Sequence, residues 1–275
     1  MGQIGLGTVQ FGQAYGVSNA QGQVSRDAAR AILNRAADGG ITLLDTAANY
    51  GDAEEVLAVL GTGGFRVVTK TIGIKHGLDA VLARARASAA QLSADTLLVH
   101  AAADLSDGKL WSSLQALKHE GIFRKIGVSV YAADNPALLA ERFRPDVMQL
   151  PFSILDQRLA NDGTLARLTA LGVEVHARSL FLQGLLFMDT LPPKLAYAAP
   201  RLAQVKSAIR AAGATPLCAA LGFVLSCPEI AVALVGVTSL AELEEILAAA
   251  KEPLPPMDWE AMALDDETLL TPSRW

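Results

Sequence analysis

Short apolar runs alternate with longer stretches of helical periodicity along the whole chain. The short runs are continuously apolar, which is typical of strands covered on both faces of a parallel sheet. The longer stretches space apolar residues three or four positions apart, as at Ala28, Ile32 and Leu33, and the first of them ends at Gly39. The pattern predicts eight strands that alternate with eight or more helices.

The boundaries of these elements follow from glycine, proline and charged residues between them. The predicted strands are 3–7, 41–45, 66–70, 96–100, 125–129, 146–149, 173–177 and 230–235, and the predicted helices include one capped by Ser25 and those at 53–60, 78–92, 110–120, 135–142, 159–171, 200–212, 216–225 and 240–250. This alternation predicts an α/β fold, a single (β/α)8 TIM barrel over 1–275, with 252–275 as a proline-punctuated C-terminal tail. A doubly wound open sheet is the alternative, but residues 5–10 lack the third glycine of its dinucleotide fingerprint.

Composition excludes several classes of protein. The chain of 275 residues is 51% hydrophobic and 19% charged, and its formal net charge of -5 forms neither an acidic tail nor a basic block. No apolar run approaches the ~18 residues that span a bilayer, so neither nucleic acid nor a membrane is an expected partner. Cys218 and Cys227 fall in one apolar helical stretch, which favours buried thiols over a disulfide or a metal site. The N-terminus lacks the features of a secretion signal, so we expect a cytoplasmic protein without a metal.

Polar residues end three successive predicted strands. Asp45, Lys70 and His100 stand at these exits, and Tyr50 follows in the loop after Asp45. Each has an ordinary explanation by itself, such as a cap, a solvated charge, a core histidine or a packing tyrosine. The carboxyl ends of barrel strands converge on one mouth, which holds the active site in barrel enzymes. We therefore interpret the four side chains as one catalytic group.

The chemistry that this group suits is proton transfer to a carbonyl oxygen. A free tyrosine has a pKa of about 10, and an ammonium within about 4–6 Å lowers such a pKa by about 1–3 units. Lys70 has the right sign for this effect on Tyr50, and Asp45 would keep the ammonium charged and aimed at the phenol. His100 would bond the substrate oxygen or share in the proton transfer.

The motifs in their order resemble the aldo-keto reductase superfamily. They are Leu44-Asp45-Thr46-Ala47 with Tyr50-Gly51, Val68-Thr69-Lys70, Leu97-Leu98-Val99-His100 and Ile126-Gly127-Val128-Ser129, spread over nearly the whole chain. The resemblance implies a barrel that binds NADP(H) or NAD(H) without a Rossmann domain. It also implies hydride transfer between this cofactor and an aldehyde, ketone, alcohol or sugar, with Tyr50 as the general acid or base.

The resemblance further implies cofactor contacts at the strand ends and in the loops that follow: Gly7, Thr8, Ser129, Gln149, Arg178, Ser179, Leu180, Gln183, Gly236, Thr238, Ser239, Glu242 and Glu245. Ser129 and Gln149 would bond the nicotinamide carboxamide. Arg178 stands where many members carry an aromatic residue that stacks on the nicotinamide, and a planar guanidinium can stack too. The chain has no Arg or Lys where NADP-dependent relatives hold the 2′-phosphate, so NAD and NADP both stay open. Phe11 is the predicted substrate contact.

Two other functions are compatible with the same residues. A lysine at a barrel strand end also suits a Schiff-base aldolase with Lys70 as its nucleophile. A non-catalytic protein that senses a nicotinamide cofactor is the second alternative, because fold alone does not guarantee turnover. The oligomeric state stays open, and a monomer is compatible with the sequence.

Overall fold

Eight parallel strands close into a barrel in the computed structural model of the chain, which describes residues 2–275. Each strand pairs with the next in sequence, and β8 pairs with β1 to close the barrel. The strands are β1 (Gln3–Gly7), β2 (Leu43–Asp45), β3 (Arg66–Lys70), β4 (Thr96–Val99), β5 (Lys125–Ser129), β6 (Val147–Pro151), β7 (Glu174–Arg178) and β8 (Val232–Gly236). The predicted (β/α)8 barrel is confirmed.

Helices cover the outside of the barrel. They are α1 (Val9–Gly12), α2 (Arg26–Asp38), α3 (Ala53–Leu60), α4 (Leu78–Leu92), α5 (Lys109–His119), α6 (Pro136–Phe143), α7 (Arg158–Asn161), α8 (Thr164–Ala170), α9 (Ala199–Ala211), α10 (Pro216–Ser226), α11 (Leu240–Ala249) and α12 (Glu267–Leu270). Short 3-10 turns lie at Ile74–His76, Ala102–Leu105, Ala132–Asp134, Leu185–Phe187, Pro193–Ala198, Glu260–Met262 and Pro272–Arg274.

The inner face of the barrel is apolar in its middle and polar at its carboxyl end. Leu43, Val68 and Leu98 belong to one buried cluster inside the barrel. Successive side chains of a strand point to opposite faces, so the residue two positions later returns to the same face. Asp45, Lys70 and His100 each follow one of these three apolar residues by two positions. They therefore share the inner face at the mouth.

Three short helices, α1, α7 and α8, depart from the predicted pattern. The helix expected over 159–171 is broken into α7 and α8 by Gly163, which has a left-handed φ of 79° and allows the chain to turn. The four-residue helix α1 directly after β1 is not predicted by the sequence, because a single turn carries no periodicity.

The tail over 252–275 packs against the side of the barrel. Met262, Leu264 and Leu269 join a second buried cluster with the inner faces of α9 and α10. The side-chain amide of Gln157 donates a hydrogen bond of 2.6 Å to the carbonyl of Trp259. These contacts attach the tail to the loop after β6.

No single helix in residues 2–275 is long and apolar enough to cross a bilayer, although Pro193–Ala211 and Pro216–Ser226, bent by 84°, pass that test as a pair by length and composition. Over the same range no three His, Cys, Asp or Glu side chains gather where they could hold a metal ion. Cys218 and Cys227 are both free thiols.

Two glycines bring the loop that carries Tyr50 against α1. A Cβ on Gly12 would overlap the carbonyl oxygen of Tyr50 and the amide of Ala53, and a Cβ on Gly51, whose φ is 56°, would overlap the carbonyl of Gly12. The backbones therefore touch at a point where only glycine fits. This contact fixes where the Tyr50 loop leaves β2.

The change of Gly12 to alanine is expected to displace the Tyr50 loop. The added methyl group must push the loop away, which we expect to cost about 1–3 kcal/mol of unfolding free energy and to lower kcat as well. Gly63→Ala is the matched control, because a Cβ there meets nothing within 4 Å. Urea unfolding and steady-state kinetics check both variants. Equal behaviour of the two would show that Gly12 does not set the loop position.

Candidate active site

A buried ion pair lies at the centre of the barrel mouth. The Nζ atom of Lys70 is 2.6 Å from Oδ1 of Asp45 and also donates to the carbonyl of Thr46 at 2.8 Å. Lys70 is 1% exposed and Asp45 4%, so both charges are removed from water. A buried charge is costly unless it is paired and hydrogen-bonded, and this pair meets both conditions. The paired charges fix the ammonium in one place.

The other two predicted catalytic residues lie beside this pair. The Nζ atom of Lys70 is 4.8 Å from the centroid of the Tyr50 ring. The rings of Tyr50 and His100 are 5.8 Å apart between centroids and nearly perpendicular, at 82°. The structure thus brings together all four side chains that the sequence places at successive strand exits.

The surroundings of the group keep Lys70 charged and His100 neutral. Burial acts to lower the pKa of Lys70, but the Asp45 carboxylate and then Tyr50 outweigh it, so the pKa is raised and the ammonium stays protonated. Burial lowers the pKa of His100 to about 4, and the cations of Lys70 and Arg178 add to this effect. His100 is therefore neutral at physiological pH. Its Nδ1 atom has no hydrogen-bond partner in residues 2–275.

The depressed pKa of His100 predicts a loss of stability in acid. The unfolded chain binds a proton at this histidine below pH ~6.5, whereas the folded chain does so only near pH 4. Stability from this group is therefore complete above pH ~6.5 and is lost as the pH falls toward 4. Between pH 7 and pH 5 we expect the unfolding free energy of the wild type to fall by about 2 kcal/mol more than that of His100→Gln.

Urea unfolding at the two pH values measures this difference. His119→Gln, at an exposed position on α5, is the control for the loss of a histidine. A wild type and His100→Gln with the same pH dependence would contradict the lowered pKa of His100.

Amide and hydroxyl groups border the ion pair on the side of β5 and β6. Gln149 pairs with Ser129 across these strands, and its Nε2 donates to Oδ2 of Asp45 at 2.7 Å. This bond leaves the side-chain oxygen of Gln149 as an acceptor, and the strand pairing places Ser129 beside Gln149. A hydroxyl beside an amide oxygen suits a primary carboxamide, so these residues fit the nicotinamide group that the sequence predicts for them.

Gly7 and Thr8, the cofactor contacts predicted at the end of β1, have different surroundings. Gly7 pairs with Asp45 on one side and with Gly236 on the other. Thr8 is fully buried, and both its amide and its hydroxyl donate to the carbonyl of Asp45, at 2.9 and 3.0 Å. Thr8 therefore holds the backbone of Asp45 in place.

The loop after β7 has an unusual backbone. Ser179, Leu182 and Gln183 have positive φ values of 61°, 46° and 54° without being glycine. Residues in such conformations persist only when their surroundings hold them, and they cluster at functional sites. Here the carbonyl of Gln183 accepts bonds from the amide and the hydroxyl of Ser18, at 3.4 and 3.1 Å. The strain marks this loop as a shaped part of the mouth, while Leu180, which is 2% exposed, packs in the core beneath it.

Arg178 ends β7 on the same inner face as the ion pair. Its Nη2 donates to the carbonyl of Val130 at 2.9 Å, and its Nη1 donates to the hydroxyl of Ser179 at 3.3 Å. Its guanidinium carbon lies 4.4 Å from the centroid of the Tyr131 ring. The guanidinium thus stacks on a ring of the protein itself, and its contact with a nicotinamide stays a prediction.

Two tyrosines at this mouth are not among the predicted site residues. Tyr131 follows β5 and lies against Arg178. Tyr15 comes from the loop after α1, is 39% exposed, and accepts a 3.2 Å bond from Nε2 of Gln183. Its pKa is raised by burial and then by the nearby Tyr50, while Arg178 acts to lower it. Because Tyr15 and Gln183 are 168 positions apart, no local sequence signal could reveal their contact.

The start of α11 contains the other predicted cofactor residues. Ser239 caps the helix by accepting from the amide of Glu242 at 3.2 Å. In return, the Glu242 carboxylate accepts from the amide and the hydroxyl of Thr238, at 2.6 and 2.9 Å. The amide of Thr238, which could otherwise donate to an anion, is therefore occupied by the chain's own carboxylate. Glu245 is exposed one turn further along α11.

The predicted substrate contact Phe11 lies in the hydrophobic core and does not line the mouth. Its side chain is 0% exposed and belongs to the main core cluster under α1. A phenyl ring without exposed surface cannot line a pocket, and in this geometry Phe11 supports α1 from below. The sequence alone has no signal that distinguishes a buried aromatic residue of a short helix from one that lines a pocket.

Comparison with known proteins places the chain in a family. The model of the Aldo/keto reductase family matches residues 3–264. The chain belongs to this family. As an aldo-keto reductase it is an oxidoreductase of a group that binds nicotinamide cofactors and acts on small carbonyl or sugar substrates, as its motifs imply.

Several relatives share nearly the whole length of this aldo-keto reductase. L-galactose dehydrogenase of Arabidopsis thaliana is 30% identical, over 97% of this chain and 88% of the relative. An aldo-keto reductase of Bacillus halodurans, solved in its holo form, superposes with a TM-score of 0.75 at 19% identity, over 94% of this chain and 89% of the other. The aldose reductase of Giardia lamblia gives a TM-score of 0.68 at 19% identity, over 95% and 91%. The structural matches establish the fold.

Proposed function

We propose that this aldo-keto reductase reduces an aldehyde or ketone, or oxidises the matching alcohol or sugar, with Asp45, Tyr50, Lys70 and His100 as its catalytic residues. The observation that carries the proposal is the position of the Lys70 ammonium, 2.6 Å from Asp45 and 4.8 Å from the centroid of the Tyr50 ring. A buried ammonium held beside a phenol stabilises the phenolate that remains when the proton leaves.

Each residue has one task in this mechanism. A nicotinamide cofactor, when bound, supplies or accepts the hydride. The Tyr50 hydroxyl gives its proton to the carbonyl oxygen during reduction and takes it back from the alcohol during oxidation. Lys70 stabilises the resulting phenolate, and Asp45 keeps the ammonium charged. His100, neutral at physiological pH, orients the substrate oxygen by a hydrogen bond.

Two residues would orient the cofactor. Ser129 and Gln149 stand side by side at the ends of β5 and β6 and would bond the carboxamide, which selects the ring face offered to the substrate. Because Gln149 also donates to Asp45, it would connect the position of the cofactor to that of the ion pair.

The same geometry argues against the aldolase alternative. A lysine forms a Schiff base only as a free amine, and such lysines have a lowered pKa. The pKa of Lys70 is raised, and its ammonium already donates to Asp45 and to the Thr46 carbonyl. These bonds favour a fixed cation over a nucleophile.

Titration of the purified protein with NADH and NADPH, followed by cofactor fluorescence, tests the proposal. Turnover is then measured with aldehydes, ketones and sugars and, in the oxidising direction, with L-galactose, the substrate in the name of the relative from Arabidopsis. Absence of binding would overturn the proposal. Tight binding without turnover over the whole panel would favour the non-catalytic cofactor sensor.

We further propose that the enzyme prefers NAD(H) over NADP(H). The Glu242 carboxylate stands at the start of α11, where the resemblance places the adenosine end, and it would repel a 2′-phosphate. Like charges about 4 Å apart in water repel by about 1 kcal/mol, so Glu242→Gln should lower the NADPH Kd relative to the NADH Kd on the order of 5–10-fold. Glu252→Gln, exposed just after α11, is the control, and an unchanged ratio in Glu242→Gln would refute this preference.

A further inference from the structure

One positive charge at the mouth lacks a counter-ion. The Lys70 ammonium is neutralised by Asp45, and His100 carries no charge near neutral pH. No carboxylate in residues 2–275 lies within 4.0 Å of the guanidinium nitrogens of Arg178. Asp134, three residues after the Tyr131 that lies against Arg178, accepts a bond from the amide of Tyr131 at 2.7 Å. Among the ion pair, His100 and Arg178, the guanidinium is therefore the one charge without an oppositely charged partner in residues 2–275.

The guanidinium is also held in place with donors to spare. Among residues 2–275 it makes two hydrogen bonds, to Val130 and Ser179, whereas a guanidinium has five N–H donors. The Tyr131 ring supports one of its faces. Its torsional freedom is therefore already restricted before any ligand arrives, which reduces the entropy cost of binding. The remaining N–H groups form a fork that matches a carboxylate.

The position of Arg178 brings this fork close to the reacting groups. Val175 and Ala177 pack in the outer core cluster, so the alternation of β7 places His176 and Arg178 on the inner face. Arg178 is the last residue of that strand, at the same end of the barrel as Asp45, Lys70 and His100. Its charge acts on the titration of both His100 and Tyr15. An anion bound there would lie within the same mouth as the carbonyl group bonded by Tyr50.

We propose that Arg178 binds a carboxylate of the substrate, so that the enzyme prefers anionic aldehydes, ketones or hydroxy compounds over neutral ones. The proposal rests on the function proposed above and specifies its substrate class. A partly buried guanidinium without a counter-ion gains a charge-assisted pair from such a substrate, and a neutral substrate of the same shape leaves the charge unpaired.

Matched substrate pairs test this preference by kcat/KM. The pairs are para-carboxybenzaldehyde with para-methylbenzaldehyde, and succinic semialdehyde with butanal, each differing by a carboxylate in place of a methyl group. The wild type should favour the carboxylate member by on the order of 10–100-fold, mainly through KM. Arg178→Met should abolish the preference, and Arg178→Lys, which keeps the charge without the fork, should retain part of it. Arg210→Met, exposed on α9, should leave it unchanged.

Two further measurements distinguish this proposal from a role of Arg178 in cofactor binding and from a failure of the proposed function. The Kd for NADH is measured in each variant, and a loss of cofactor affinity in Arg178→Met with the substrate preference intact would assign the guanidinium to the cofactor and overturn the proposal. Calorimetric binding of para-(hydroxymethyl)benzoate against para-methylbenzyl alcohol needs no turnover, so it tests anion binding even if the enzyme reduces no member of the panel. Equal kcat/KM values of the wild type for the two members of each substrate pair, or equal Kd values for the two calorimetric ligands, would also overturn the proposal.

Discussion

Replacement of Tyr50 by phenylalanine is expected to lower kcat for carbonyl reduction by about 10²–10⁴-fold, the range that a general acid contributes. The substitution removes only the hydroxyl group. The phenyl ring can keep its perpendicular contact with His100, at 5.8 Å between centroids, and its place beside the Lys70 ammonium. The unfolding free energy and the Kd for NADH should therefore stay close to those of the wild type.

Single-turnover kinetics on the cofactor-loaded protein measure the chemical step directly. Tyr197→Phe is the matched control, because Tyr197 is 57% exposed on a surface turn and its hydroxyl donates to Asp266, away from the mouth. It should leave the chemical step unchanged. A Tyr50→Phe variant with the rate of the wild type would remove Tyr50 from the mechanism and leave His100 as the candidate acid.

The group of four side chains at the mouth could be predicted from sequence because its position depends on regular structure. Apolar runs bounded by glycine identify the strands, and the two-residue repeat of a strand determines which residue emerges at its carboxyl end. Asp45, Lys70 and His100 follow from these two rules together with barrel closure. Tyr50 follows from its place in the loop after the first of them.

The parts that sequence could not predict depend on contacts between distant loops or on exact burial. Tyr15 reaches the mouth through a bond to Gln183, and Thr8 turns both of its donors to the backbone of Asp45. Phe11 has the composition of a pocket wall and the burial of a core residue. In each case the partner is set by the closed barrel rather than by neighbours along the chain, so no local pattern encodes it.

The contact of Gln149 with Asp45 is a further example. The resemblance predicts that Gln149 bonds the carboxamide of the cofactor, and the structure adds a 2.7 Å bond from its Nε2 to Asp45. The Asp45 carboxylate thereby has a partner on each oxygen, Lys70 on Oδ1 and Gln149 on Oδ2. Buried polar networks are stable when every member has its partners. The ion pair is thus part of a network whose removal should affect both the fold and the chemistry.

Substitutions in the ion pair should separate these two effects. Asp45→Asn leaves the Lys70 ammonium buried without a counter-ion, and Lys70→Met leaves the Asp45 carboxylate in the same condition. Loss of one partner of a buried pair costs about 3–5 kcal/mol. Each single variant should lose that much unfolding free energy, whereas Glu55→Gln, which breaks the exposed pair with Arg26 at 2.9 Å, should lose no more than about 1 kcal/mol.

The double variant Asp45→Asn with Lys70→Met removes both charges together and should recover most of the lost stability, because no uncompensated ion is left in the core. Its kcat should stay low, by about 100-fold or more, since no ammonium stands beside Tyr50 to stabilise the phenolate. Urea unfolding and single-turnover rates are measured on the two single variants and on the double variant. In this double-mutant cycle the unfolding free energy should recover in the double variant, whereas the rate should stay low. If the double variant regained its activity along with its stability, the pair would serve the fold alone, and the acidity of Tyr50 would have to come from another group at the mouth, with Arg178 the next cation to examine.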